Sequence, residues 1–250
     1  RRGIIAYPVH IKIDTGMHRL GFQPHEVSAL CERLKAQSGV KVRSVFSHLA
    51  GSDSFVFDDF THEQLTKFQQ AAADLETGLE HTVIKHILNT AGIERFPEYQ
   101  MDMVRLGIGL YGVSASGIHG LRTVSTLKTT ILQIQQVPAG DSIGYSRRSY
   151  VERDSRIAII PIGYADGLDR HFSNGHGEVV IRGKRCPIIG NICMDACMID
   201  VTDSDAQEGD PVIVFGEELP VSELSDRLRT IPYEVLTSVS PRVKRVYYTE

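Results

Sequence analysis

No stretch of the 250 residues approaches the ~20 consecutive apolar positions of a membrane-spanning helix. The opening Arg1-Arg2-Gly3 runs on to Pro8 without a signal-like apolar block, so a cytoplasmic protein is expected. The four cysteines, Cys31, Cys186, Cys193 and Cys197, form no CxxC pair and have no histidines at zinc-finger spacing. That disfavours structural zinc and a disulfide framework, leaving reduced, mostly buried thiols and no metal as the expectation. Charge of one sign is also missing. With 27 Lys and Arg against 31 Asp and Glu the formal net charge is −4, which gives no electrostatic reason for a nucleic acid or an anionic membrane as partner. A small-molecule substrate is expected instead. Internal repeats and low-complexity tracts are absent as well.

At 42% hydrophobic and 23% charged, the chain is globular and long enough for a large core, as one α/β barrel or two domains. Its most informative stretch is 9–22, VHIKIDTGMHRLGF. A strand is predicted there, with His10, Lys12 and Asp14 alternating against Val9, Ile11 and Ile13, ending where Thr15-Gly16 permits a sharp exit. Lys12, Asp14, Thr15, His18 and Arg19 therefore gather at a strand end, as they would around a pocket. Residues 24–37 then place Val27, Leu30, Cys31 and Leu34 at helical spacing, and 41–48 returns to a strand. A second helix is predicted over 61–79, opened by the capping pattern Thr61-His62-Glu63-Gln64 and carrying Leu65, Phe68, Ala72 and Leu75 on one face. Strands over 82–88 and 103–111 follow, the latter apolar apart from Arg105.

Alternation of this kind predicts a parallel sheet with its chemistry at the carboxyl ends of the strands. Ser47-His48, Asn89-Thr90 and Arg105 each follow or close a predicted strand, in register with 12–19. A lone polar residue at a strand end is commonly a turn residue; four such groups point to a site. Residues 107–112, GIGLYG, match GxGxxG, yet no helical pattern opens after Gly112 and no acidic residue lies about 20 positions on, which excludes a dinucleotide fold. Glycines after a late barrel strand fit a phosphate cradle better, with Thr90 adding a hydroxyl.

Beyond Arg122 the helical period gives way to short strands over 127–137, 156–162, 178–189, 197–201 and 210–215, with a helix over 221–228 and closing strands over 233–239 and 243–248. The predicted division is 1–121, part of a barrel, and 122–250, a β-rich domain. Three glycine-flanked clusters interrupt the second: 142–145 (SIGY), 163–167 (GYADG) and 190–195 (GNICMD). Each sets functional groups beside flexible backbone.

In order along the chain, KIDTGMHRLGF, SHLAGSD, LNTAG, VRLGIGLYG, SIGYS, PIGYADG, GNICMD, GDPVIVFG and IPYEVL resemble the alanine racemases. The resemblance covers the whole chain. It implies an incomplete TIM-type (β/α)8 barrel followed by a mostly-β domain, α/β plus β in class, with pyridoxal 5'-phosphate as cofactor. It also implies L- and D-alanine as substrates, a role in supplying D-alanine for peptidoglycan, and a homodimer with active sites shared between subunits. By the same resemblance Tyr145 is the catalytic base that takes the α-proton of L-alanine, and Arg19 and Met194 hold the substrate. His48, Asn89, Thr90, Arg105, Gly107, Ile108 and Tyr233 bind the cofactor, Arg105 facing its pyridine nitrogen. Lys12 matches a lysine that is often carbamylated, and Tyr164 and Arg170 match a narrow entrance. Asn191 stands where relatives have arginine.

The resemblance also implies a cofactor-binding lysine in an N-terminal motif like KAxAYG, which this sequence does not show. The expectation drawn is that the chain is the C-terminal two thirds of a racemase, without the lysine-bearing N-terminal segment. Two alternatives remain, a racemase of broader amino-acid range and a non-catalytic carrier of the same cofactor.

Overall fold

The computed structural model describes residues 3, 5–117 and 120–248. The chain divides into two compact units, one running to Leu110 and including Ser114–Leu121, the other formed by Tyr111–Val113 and the residues from Arg122 onward.

In the first unit strands and helices alternate: β1 (Tyr7–Lys12), α1 (Val27–Lys35), β2 (Val40–Phe46), α2 (Asp58–Leu79), β3 (Ile84–His86) and α3 (Thr90–Arg95). The three strands form a parallel sheet in the order β1-β2-β3. Its register aligns Lys12 with Phe46 and Phe46 with His86, so all three strands end at one level. Beneath them lies a core of Ile11, Ile13, Val45, Leu65, Phe68, Leu75, Ile87 and Leu88. Buried Leu65, Phe68, Ala72 and Leu75 follow one face of α2, as a 3.6-residue period requires. The Cys31 thiol of α1 packs so tightly on α2 that a Cβ at Gly78 would lie 2.6 Å from its sulfur.

Two local predictions fail here. Helix α2 starts at Asp58, three residues before the expected cap, with Asp58 and Asp59 placed favourably in its first turn. Thr61 and Gln64 are instead buried within it, and Gln64 binds the backbone of the segment after β2. The expected strand over 103–111 is irregular and then a 3-10 turn, Ile108–Tyr111. The Gly107 and Gly109 N–H groups donate to the Thr90 hydroxyl rather than to a ladder.

The second unit is β-rich. Its strands are β4 (Leu127–Thr130), β5 (Gln133–Val137), β6 (Ser142–Ile143), β7 (Ser149–Tyr150), β8 (Ser155–Ile160), β9 (Glu178–Ile181), β10 (Lys184–Ile189), β11 (Cys197–Asp200) and β12 (Pro211–Phe215). Seven of them make an antiparallel sheet, β4-β12-β9-β10-β11-β8-β5, and β6 pairs with β7. Within β10, residues 184–187 pair with β9 and 188–189 with β11, so the sheet curls there around a core of Ile160, Ile181, Ile188, Ile192 and Ile199. Helices α4 (Val221–Leu228) and α5 (Pro232–Ser238) follow. The predicted strand over 233–239 is thus a helix: Pro232 supplies a preset first turn, and the Thr237 and Ser238 hydroxyls donate back to the Tyr233 and Val235 carbonyls. Residues 243–248 form no strand. The Arg245 guanidinium takes up carbonyls of 239, 240 and 243.

Candidate functional site

The aligned strand ends of the first unit converge on Arg105. One terminal nitrogen donates to His86 Nδ1 (2.5 Å) and the His86 carbonyl (3.1 Å). The other donates to the Ser47 (2.5 Å) and Ile87 (3.2 Å) carbonyls and to His48 Nδ1 (3.3 Å). The guanidinium also lies 5.3 Å from the centre of the Phe46 ring, which stacks on His86. All these bonds use the two terminal nitrogens and leave Nε–H as the remaining donor among the described residues. Both imidazoles turn a lone pair toward Arg105, so each is neutral with its proton on Nε2. Burial first, and then the Arg105 charge, hold His86 and His48 down to about 4. His86 Nε2 continues to the Ser44 hydroxyl (3.3 Å), which also meets His10.

Lys12 ends β1 with its Nζ buried and without a hydrogen-bond partner among the described residues. Burial, then the Arg19 and Arg105 charges, lower its pKa against the opposing pull of Asp14. Asp14 itself caps the turn that follows, its Oδ1 accepting from the Gly16 (2.9 Å) and His18 (3.0 Å) N–H groups. Arg19 is exposed. Thr15 and Ser47 join their hydroxyls at 2.8 Å and tie the ends of β1 and β2 together.

Asn89 is the N-cap of α3: its Oδ1 accepts from the Gly92 N–H and the Ser52 hydroxyl, each at 2.9 Å. Next to it, buried Thr90 accepts from the N–H groups of Gly107 (3.0 Å) and Gly109 (3.2 Å), with buried Ile108 between them. Its oxygen is thereby filled as an acceptor, and its own proton is left to be donated. The backbone at Gly109 passes close to this threonine, so a Cβ there would stand 3.0 Å from the Thr90 methyl and need it to give way. Lys12, His48, Thr90, Arg105, Gly107 and Ile108 thus lie on the segments that end or follow the three strands.

In the second unit, Tyr145 is 69% exposed and opens a 3-10 turn after Gly144 (φ +72°). Its carbonyl accepts from Asn191 Nδ2 at 2.9 Å, and Asn191 is buried. Ser146 and Arg147 both hold positive φ, a strained turn that thrusts the tyrosine outward. Met194 and Tyr164 belong to two loops zipped by backbone bonds from Tyr164 N–H to the Cys193 carbonyl (3.1 Å) and from Ala165 N–H to the Met194 carbonyl (3.0 Å). Met194, Tyr164, Arg170 and Tyr233 are all exposed, the last on α5. Sequence reasoning missed His86 and Arg242, and gave Gln64 only as part of a helix cap and Asp166 only as a member of the 163–167 cluster. His86 could have been found as the polar end of an apolar strand. Nothing in the sequence flags Arg242.

Among the described residues, no three His, Cys, Asp or Glu side chains gather as a metal site, and no helix is long and apolar enough to cross a membrane. The four cysteines are free thiols.

Two family models match the chain, "Alanine racemase, N-terminal domain" over residues 5–115 and "Alanine racemase, C-terminal domain" over 124–247. The chain is 41% identical over 249 residues to alanine racemase 2 of Caldanaerobacter subterraneus subsp. tengcongensis, covering 96% of this chain and 64% of that protein. Against the alanine racemase of Desulfovibrio desulfuricans it is again 41% identical, covering 97% and 67%. Among solved structures, the alanine racemase from D-cycloserine-producing Streptomyces lavendulae superposes with a TM-score of 0.90 at 31% identity, over 98% of this chain and 67% of that one. The Bartonella henselae alanine racemase with covalently bound pyridoxal phosphate gives 0.86 at 35%, over 96% and 66%. The chain thus spans about two thirds of the length of these relatives.

One expectation is corrected. The absence of a motif like KAxAYG led to the expectation of the C-terminal two thirds of a racemase, without the lysine-bearing N-terminal segment. The model of the N-terminal domain itself matches residues 5–115, and the C-terminal one accounts for most of the rest. A domain is recognised by its whole succession of strands and helices, here β1 to α3, whereas a motif samples only a few residues.

Proposed function

The chain belongs to the alanine racemase family, and from that membership we propose that the protein interconverts L- and D-alanine with pyridoxal 5'-phosphate. We place it in the cytoplasm as a homodimer whose active sites are shared between subunits. The carrying observation is the Arg105 cluster: one guanidinium, bound to two neutral histidines and three carbonyls at the ends of parallel strands, keeps a single donor in reserve.

The residues fit the cofactor. Thr90 has a hydroxyl proton to give to a phosphate beside the Gly107 and Ile108 backbone, and Tyr233 would add a second hydroxyl. Arg105 would direct Nε–H at the pyridine nitrogen, where an always-charged guanidinium keeps a proton off. Bound there, the cofactor supplies an electron sink that makes the α-proton of alanine removable.

Inversion takes two bases on opposite faces of the substrate, one to remove the α-proton and one to return a proton; one is the cofactor-binding lysine of the family, and the other groups have the following roles. Tyr145 takes the α-proton on its phenolic oxygen, in the partner subunit's site. In that role its oxygen is aided by positive charge that the neutral His48 relays from Arg105 through Nε2–H. Arg19 and the Met194 N–H orient the carboxylate, while Tyr164, Arg170 and Tyr233 narrow the way in. The lowered pKa of Lys12 leaves more of its amine neutral and able to add carbon dioxide; the resulting carbamate would carry a negative charge toward Arg19.

The test is racemisation of L-alanine by the cofactor-loaded protein and by Tyr145→Phe. The variant is expected to lose 10²- to 10⁴-fold or so in kcat. A variant as fast as the wild type would remove Tyr145 as the base, and an inactive loaded wild type would remove the activity itself.

A further inference from the structure

Arg242, which follows α5 in a segment without regular structure, bridges two carboxylates of the second unit. Its Nε donates to Asp166 Oδ1 at 2.7 Å and a terminal nitrogen to Asp195 Oδ1 at 2.5 Å. Asp166 lies in the loop of Tyr164, and Asp195 directly follows Met194. The bridge therefore ties together the two loops that carry an entrance residue and a substrate-carboxylate donor.

Three further contacts make it a junction rather than a surface ion pair. Asp166 is mostly buried and turns its other oxygen to the Gly163 N–H (2.9 Å), while its carbonyl accepts from Ser240 N–H (2.9 Å). The Ser238 hydroxyl at the end of α5, the helix of Tyr233, donates to the Gly167 carbonyl at 3.2 Å. Where the loops touch there is no spare room, since a Cβ on Gly163 would fall 2.3 Å from the Cys193 oxygen and 2.4 Å from that of Met194. Hydrogen bonding to Arg242 is also the chief reason that Asp166 stays ionised below the usual carboxylate range.

Electrostatics give the bridge a consequence for the substrate. Asp195 is 64% exposed and adjoins the residue whose N–H is assigned to the substrate carboxylate. Unneutralised, it would repel that carboxylate and its loop would repel Asp166; one guanidinium between them cancels both effects.

We propose that Arg242 is a positioning and specificity-determining residue, clamping the Tyr164 and Met194 loops so that the carboxylate donor and the entrance stay at a fixed separation. The proposal rests on the racemase reading. Arg242 touches no reacting atom, so it should govern how alanine is held and which side chains pass, with little effect on proton transfer.

The experiment uses the complete, cofactor-loaded protein. Arg242→Gln is expected to raise KM for L-alanine about tenfold or more while kcat stays within about threefold. It should also narrow the preference for alanine over serine, and speed amide hydrogen exchange in 163–167 and 190–195. Arg242→Lys, with a charge but no fork, should recover only part of the KM. An Arg242→Gln protein with unchanged KM, unchanged preference and unchanged exchange overturns the clamp. Should that variant fail to fold, Asp195→Asn decides by hydrogen exchange, because it weakens one arm and leaves the Asp166 contact: faster exchange in 163–167 and 190–195 supports the clamp and unchanged exchange overturns it. If the loaded wild type does not racemise alanine, the racemase reading falls, and hydrogen exchange in the two loops still settles whether Arg242 holds them together.

Discussion

Gly163 is dictated by crowding and not by backbone angle. Its φ of −144° suits any residue, yet an added methyl would collide with two carbonyl oxygens. Gly163→Ala should therefore separate the loops joined by the Tyr164 and Ala165 N–H bonds and destabilise the protein by about 1–3 kcal/mol. The readout is the urea midpoint, and an unshifted midpoint would mean that the loops part without cost. At this scale the sequence exposed the groups that sit at strand ends, such as His48, Thr90 and Arg105. It hid those whose meaning lies in a distant partner. His86 matters because Ser44 stands beside it on the neighbouring strand and Arg105 returns to it 19 residues later. Arg242 matters only through Asp166 and Asp195, and no periodicity links the three. Asn89, expected beside the cofactor, also caps a helix through its Oδ1, a task that its side chain advertises equally well.

Helix α2 shows what an element contributes. It buries Phe68 completely, among Leu65, Ala72 and Leu75, against the sheet that presents Lys12, Phe46 and His86 at its ends. Phe68→Ala is expected to cost about 3–5 kcal/mol, the loss of apolar burial plus the cavity left behind. Equilibrium denaturation measures it, and a cost under 1 kcal/mol would show that the neighbouring side chains collapse into the space. Elements with a strong period were legible: the three parallel strands, the helical faces of α1 and α2, and the seven strands of the large sheet of the second unit, with β4 and β5 expected as one run. Those decided by hydrogen-bond competition were not. The stretch 103–111 reads as a strand on hydrophobicity alone, and the Thr90 hydroxyl diverts two of its N–H groups. Residues 233–239 carry β-branched and aromatic side chains, but Pro232 and the back-bonding hydroxyls of Thr237 and Ser238 make them a helix.

Across the whole molecule the two units should answer acid differently. In the first, His86 is buried and held to about 4, chiefly by burial and then by Arg105 and His10, while an unfolded histidine titrates near its ordinary 6.5. The folded state refuses a proton that the unfolded chain accepts, so stability is full above pH 6.5 and falls as pH drops from 6.5 toward 4. For His86 the loss is on the order of 2–3 kcal/mol, and half-buried His48 acts in the same direction. In the second unit the displaced acidic groups are carboxylates, including Asp166 and Glu223, whose pKa values lie below ordinary because of Arg242 and Arg185 respectively. Their stabilisation is present above pH ~4 and disappears only as pH falls through the lowered values. Amide hydrogen exchange, corrected for its intrinsic pH dependence and followed from pH 7 to 3, should show the strands of the first unit losing protection between pH 6.5 and 4. Those of the second unit should hold until lower pH. His86→Gln, which cannot take up the proton, should remove much of the upper stage. Simultaneous loss of protection in both units, or loss in the second unit first, would refute the assignment of acid sensitivity to the two histidines around Arg105.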